Sequence, residues 1–322
     1  MANREAMISQ AWKIRREFKP EILFAVPGVK HYDNPHYSNR PFSFANLSVT
    51  GEACSCQCAH CKGSLLSTMI GVENPQAMCR VVDKLSEKDC RGILISGGAD
   101  VSGEVPLASF SEAIGYAKQK GLTVLVHSGL IRRKTAAMLK KSRVDQVLMD
   151  VIGDEETIRE VCHLNRKPED YLQSMCYCRE AGLSIAPHIV IGLHFGQIRG
   201  EYNALEMINK VSPETIVLII LNPVRDTAMA GISPPSLDDV AGIMAAARVL
   251  NPLTPITLGC ARPPGQYKRD AEKRAIDCGV NGIAYPDETA VDYAESRGLK
   301  AIFSEECCSL LGKNHSGIEA GR

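Results

Sequence analysis

The sequence predicts an α/β fold: a closed (β/α)8 barrel of the TIM type with an N-terminal extension and a C-terminal tail. Three observations lead there. Eight short β-branched or aliphatic runs alternate with longer segments whose apolar residues recur every three or four positions. The runs are apolar on both faces, as parallel strands covered by crossover helices must be. Polar residues and glycines gather just after the runs, at the strand ends that form the mouth of a barrel.

Residues 1–43 read as the extension, 44–298 as the barrel and 299–322 as the tail. The extension holds a short helix around 8–18, then the loop-rich stretch VPGVKHYDNPHYSNRPF. Strands are predicted at 44–49, 92–95, 123–126, 146–151, 184–191, 215–221, 255–258 and 282–285. Helices are predicted at 76–88, 107–120, 134–141, 168–181, 202–210, 237–249, 267–278 and 288–297. Gly or Pro punctuates most of their ends. An open doubly wound sheet is the alternative, but no GxGxxG opens a helix and GGAD at 97–100 lacks the GK[ST] of a P-loop.

With 322 residues, 45% apolar and 23% charged, the chain has the composition of a folded protein with a sizeable core. Its 37 basic residues balance 37 acidic ones, so no long-range field favours nucleic acid or an anionic membrane. Local basic groups, Lys13, Arg15, Arg16 and Lys19 or Arg132, Arg133 and Lys134, read as solvated helix faces. No apolar stretch spans a bilayer, and charges interrupt the N-terminus where a signal peptide has its apolar core. A cytoplasmic location is expected. There, 13 cysteines point to metal, cluster or thiol chemistry rather than disulfides.

Four of those cysteines stand in GEACSCQCAHCKG, just after the first barrel strand. Cys54, Cys58 and Cys61 are spaced by three and then two residues, without the second CxxC pair usual in a closed zinc site. Cys56 would complete a zinc set only in cramped geometry. Three thiolates around an iron–sulfur cubane instead leave one iron open to an exchangeable ligand. His60 is either a hydrogen-bonded loop histidine or a residue that contacts that ligand.

CSCQCAHC resembles the CxxxCxxC signature of the radical S-adenosylmethionine (SAM) superfamily, and the resemblance covers most of residues 44–286. It implies a 4Fe–4S cluster on Cys54, Cys58 and Cys61, with SAM chelating the open iron. One electron then yields methionine and a 5′-deoxyadenosyl radical, which takes hydrogen from the substrate. SGGAD resembles the family's glycine-rich strand end, placing Gly97 and Gly98 at the methionine amino group; Ala99 replaces the usual acid, with Asp100 and Glu104 nearby. SIAPHIVIGLHFG is similar to a biotin synthase segment that brings Ile191 and Gly192 to the adenine, and LNPVRDT to its next strand end, with Asn222. Asp150 is a candidate for the ribose diol, or else the cap of the helix that begins DEET. His188 and His194 lack the glutamate of a hydrolytic HExxH zinc site.

Cys260 and Arg262, in TLGCARPPG, resemble the seventh strand end of biotin synthase, where an arginine helps hold an auxiliary cluster. That cluster's cysteines do not carry over; their places fall near Ile95, Leu125 and Ala186. Cys307, Cys308 and Ser309 in the tail are the residues able to fold back and complete an auxiliary 4Fe–4S site with Cys260. SVTGEACSCQCAHCKGSLLSTM, FAVPGVKHY and LGCARP resemble the archaeal-type lipoyl synthases built from two biotin synthase-like proteins. This implies sulfur insertion into octanoyl-lysine of a lipoyl-domain or H-type protein. It also implies a second radical SAM protein as partner and a ferredoxin or flavodoxin as electron donor. The alternatives are another radical SAM carbon transformation and a noncatalytic iron–sulfur or zinc partner protein.

Overall fold

The computed structural model describes residues 2–311; the end of the tail, 312–322, lies outside the described residues. Helix α1 (Ala2–Arg15) leads to strand β1 (Glu21–Ala25), and β2 (Asp33–Asn34) and β3 (Tyr37–Ser38) form a small hairpin. Then come β4 (Phe44–Ser48), β5 (Ile70–Gly71), α2 (Pro75–Ser86), β6 (Gly92–Ser96), α3 (Ser111–Gln119) and β7 (Thr123–His127). The middle of the chain gives α4 (Arg133–Lys141), β8 (Gln146–Asp150), α5 (Glu155–Glu160), α6 (Pro168–Glu180) and β9 (Ile185–Ile191). It continues through α7 (Glu201–Asn209), β10 (Ile216–Ile220), α8 (Leu237–Leu250) and β11 (Ile256–Leu258). The last elements are α9 (Gln266–Asp277), β12 (Gly282–Ala284), α10 (Glu288–Ser296) and β13 (Lys300–Ser304).

All eight predicted barrel strands form, and side-chain caps start several helices: Asn74 on α2, Asp154 on α5, Ser236 on α8 and Asp287 on α10. One parallel sheet of eleven strands runs β13-β1-β12-β11-β10-β9-β8-β7-β6-β4-β5. It curls as a TIM-type barrel does, but among the described residues no pairing joins β13 to β5, so the ring stays open along one side. Two strands of the sheet fall outside the span 44–298. Strand β1, from the N-terminal extension, lies between β12 and β13, and β13 comes from the C-terminal tail. EILFA is apolar on both faces, as a central strand must be, with all but Glu21 buried.

Side chains alternate between two apolar layers. On the outside, Ile93, Val124, Val147, Ile189 and Leu218 pack with helix residues such as Met78, Leu139 and Met175. On the inside, Phe44, Leu125, Leu148, Ala186, Val217 and Ala284 cluster with Cys308 and Leu310. The tail therefore enters the barrel. Glu305 pairs with Arg40 at the mouth, Cys308–Leu310 make a 3-10 turn inside, and Leu311 reaches Leu23 and Asn281 near the opposite end. No helix among the described residues is long and apolar enough to cross a membrane.

Arg15 departs from the solvated face expected of it. It is buried and donates to the carbonyls of Val280 and Lys19, each at 3.0 Å, and of Glu21. Arg248 on α8 is equally enclosed, bonding Gly279 O at 3.0 Å, Thr254 O at 2.9 Å and Asn281 Oδ1. Arg248→Met keeps the bulk but strands those acceptors. A loss of about 3 kcal/mol, read from denaturant unfolding, is expected.

Candidate active site

After β4 the chain turns at Gly51 and folds into a tight loop through Gly63. Gln57, Lys62 and Gly63 take left-handed backbone angles, with φ of 44°, 49° and 75°. Hydrogen bonds from Lys62 N to Cys58 O (2.8 Å) and from Ser55 N to Ala99 O (2.9 Å) hold the curl against the end of β6. The curl draws sulfurs together: the ligand atoms of Cys58, His60 and Cys61 all lie within 4.8 Å of one another. Cys54 Sγ, 3.9 Å from Ala99 O, stands outside that group. Cys56 Sγ turns toward the carbonyl of Asp100 at 3.3 Å.

The crowding shows in the acidities. The Cys61 thiol is held well below its usual range, first by its hydrogen bond with Cys58 and then by His60, whereas Cys58 is pushed up by sharing a hydrogen bond with Cys162. His60 Nδ1 is buried without a hydrogen-bond partner. A Cβ added at Gly98 would lie 2.0 Å from Ala53 O and 2.5 Å from Cys54 Cα, so only glycine lets the β6 end approach this loop. Converging thiols, an orphaned imidazole nitrogen and a glycine cradle fit a thiolate-held cluster.

Sequence reasoning missed the connection between α5 and α6, which clasps the loop. Ala59 N donates to Val161 O at 2.7 Å, His163 Nδ1 to Cys56 O at 2.9 Å, and Cys58 Sγ lies 3.7 Å from Cys162 O. The dipeptide Cys162-His163 was the available signal.

The other candidates fall along the mouth. Gly98 N donates to Thr50 Oγ1 at 2.7 Å, and Gly97 packs on Val49 and Thr50. The two acids near Ala99 are engaged elsewhere: Asp100 accepts from Ser102 and Glu104 backbone N–H groups, and Glu104 pairs with Arg132. Asp154, not Asp150, caps α5, accepting from Thr157 N at 2.8 Å. Asp150 instead points into the lumen, 3.8 Å from His127 Nε2. The Ile191 side chain belongs to the outer core, and its carbonyl accepts from Leu221 N at 2.9 Å. Gly192 has φ of 79°, donates to Glu201 Oε1 at 2.7 Å and accepts from Gly196 N at 2.8 Å. Each carbonyl keeps a second lone pair to offer. A small cleft borders Asp150, Val190, His194 and Glu201. Asn222 is exposed just beyond β10.

Across the lumen the adjacent Cys307 and Cys308 stand inside the barrel, with Cys260 within electrostatic reach. Cys260, just past β11, stays solvent-accessible, yet burial and then the nearby Cys307 raise its pKa. Cys307 is held below its usual range by hydrogen bonds from Cys308 and Ser309, the latter at 3.3 Å; Cys308 is raised by the same pairing. Lys30, from the loop after β1, sits 4.0 Å above the Tyr285 ring and feels the charges of Cys260 and Arg262. Arg262 is fully engaged by Glu272 Oε1 (2.9 Å from Nε) and by the carbonyls of Gly259 (2.6 Å), Ala284 and Tyr285, which ties β11 and β12 to α9. At the places of the biotin synthase auxiliary ligands, Ile95 faces the helices, and Leu125 and Ala186 face an apolar lumen.

No family model matches the chain. It is 23% identical over 250 residues to a biotin synthase of Prochlorococcus marinus subsp. pastoris, covering 75% of this chain and 73% of that one. A biotin synthase of Alkalilimnicola ehrlichii is 24% identical over 252 residues, covering 75% and 74%. Among solved structures, methylornithine synthase (PylB) superposes with a TM-score of 0.64 at 15% identity, covering 94% of this chain and 90% of that one. The FeFe-hydrogenase maturase HydG from Carboxydothermus hydrogenoformans gives 0.64 at 18% identity, covering 95% and 73%. At those identities the structural likeness is one of fold. The thiol loop, the curled parallel sheet and these relatives together support a radical SAM superfamily protein. Within that class the chain is similar to the biotin synthases.

Proposed function

We propose that this radical SAM enzyme inserts sulfur into octanoyl-lysine of a lipoyl-domain or H-type protein, as one component of a lipoyl synthase. The observation that carries the reading is thiols on two sides of one barrel: Cys58 and Cys61 converge with His60 on one, with Cys54 in the same loop, and the adjacent Cys307 and Cys308 stand on the other, within electrostatic reach of Cys260. A 4Fe–4S cluster on the first three, with SAM and one electron, supplies a carbon radical able to take hydrogen from an unactivated carbon. Such a carbon has no acidity and no leaving group, so no side-chain base can start the reaction.

The residues of this chain bind and orient. Gly97 and Gly98 offer close backbone approach for the methionine end of SAM, Asp150 two acceptor oxygens for the ribose diol, and Ile191, Gly192 and Asn222 a surface for the adenine. Cys260, Cys307 and Cys308, with Ser309 beside them, would hold an auxiliary cluster as sulfur source. The apolar lumen layer excludes water from a reactive substrate. Biotin synthase chemistry itself is disfavoured by Leu125 and Ala186, which cannot ligate iron.

The test is anaerobic reconstitution followed by incubation with dithionite, SAM and an octanoylated lipoyl domain, with and without a second radical SAM protein. Deoxyadenosine together with sulfur in the lysyl adduct is expected. Deoxyadenosine without sulfur, even with the partner present, would overturn the substrate assignment.

A further inference from the structure

Three polar side chains stand one step above the apolar layer of the lumen. On β7, His127 follows Leu125 by two residues; on β8, Asp150 follows Leu148; on β9, His188 follows Ala186. Two-residue spacing puts each on the face of the apolar residue before it. Register brings them together, with Asp150 opposite His188 and the His127 and His188 rings edge to face at 5.4 Å. Val190 and Ile219, two residues farther along β9 and β10, continue the same face toward the mouth.

The tautomer of His188 follows from geometry. Its Nδ1 lies 2.9 Å from the Ala186 carbonyl, which can only accept, so Nδ1 carries the proton. Burial and then the nearby His127 lower its pKa to about 4, so the ring is neutral and Nε2 keeps a lone pair. His127 differs: its Nε2 stands 3.8 Å from Asp150 Oδ1, too far for a hydrogen bond. The lumen thus offers a fixed acceptor beside a second imidazole, bounded by aliphatic side chains.

We propose that His188 and His127 are substrate-contacting residues that recognise a secondary amide carrying an aliphatic arm, with His188 Nε2 accepting its N–H and His127 donating to its carbonyl. This deepens the octanoyl-lysine reading and rests on it, because the amide of octanoyl-lysine is such a group. The acyl chain would lie along Val190 and Ile219, above the layer that Cys308 and Leu310 cover, and the lysyl stem would leave by the mouth.

The test compares a lipoyl-domain peptide bearing octanoyl-lysine with one bearing the same acyl group as an ester on 6-hydroxynorleucine, which lacks the N–H. Binding is measured on anaerobically reconstituted protein matched for iron content. Wild type is expected to hold the amide about tenfold more tightly than the ester. His188→Phe should erase that preference, His188→Gln, which presents an acceptor near the Nε2 position, should restore part of it, and His127→Phe should weaken both ligands alike. Equal wild-type affinity for amide and ester, which needs no variant, overturns the inference, as does an undiminished preference in His188→Phe. Failure of wild type to bind either peptide overturns the octanoyl reading itself, and the inference with it. The two failures are told apart by whether wild type has any affinity for the acyl peptides.

Discussion

Cys58→Ala is expected to eliminate deoxyadenosine formation and to strip the protein of one cluster's worth of iron. Cys58 is the centre of the loop: its thiol meets those of Cys56, Cys61 and Cys162, and its carbonyl accepts from Lys62 N at 2.8 Å and Cys61 N at 3.2 Å. Losing an outer partner of a metal site costs roughly 10–100-fold in affinity or activity, and losing a ligand itself costs more, so turnover should fall by at least about a hundredfold. Cys56→Ala is the control. Its thiol turns to the Asp100 carbonyl, so iron and turnover should largely survive. Iron and sulfide analysis, the spectrum of the reduced protein with and without SAM, and deoxyadenosine chromatography check both. Full turnover in Cys58→Ala, or equal loss in Cys56→Ala, would overturn the ligand assignment. A colourless protein with stoichiometric zinc would overturn the cluster.

How much of this was legible in the sequence depends on the range of the interactions. The eight barrel strands could be read because each is a β-branched run flanked by its own helix, so local pattern and tertiary role agree. Strand β1 was not read because EILFA stands alone, with a loop-rich stretch rather than a helix after it; only pairing with β12 and β13, far away in sequence, makes it a strand. The six-residue α5 is too short to show a periodicity, which left Asp150 and Asp154 as rival caps until geometry gave that role to Asp154. The thiol loop was legible because its spacing is local. The layer of His127, Asp150 and His188 was not, since it depends on the stagger between three strands. The tail's cysteines suggested that it folds back, but not that it enters the lumen. Nothing in EECCSLL says that the ring is open beside it or that Leu310 will pack among Leu125 and Val217.

That course of the tail sets the second large effect. The double variant Cys307→Ala, Cys308→Ala should lose sulfur insertion completely while deoxyadenosine still forms, because SAM cleavage depends on the loop on the other side of the lumen. Adjacent cysteines diverge in a regular strand and cannot share a metal. Here Cys307 is extended, with φ of −62° and ψ of 139°, but a 3-10 turn begins at Cys308, and the two thiols meet. The hydrogen bonds from Cys308 and Ser309 favour the Cys307 thiolate, and Cys260 lies within electrostatic reach of it and of the cations Lys30 and Arg262. Thiolates gathered where cations offset their charge are the state a metal needs. Wild type should therefore carry two clusters' worth of iron and sulfide, and the double variant one. Cys260→Ala should behave as the double variant does. Unchanged iron and sulfide in both would remove the auxiliary cluster from the mechanism, leaving a radical enzyme that must take sulfur from its partner.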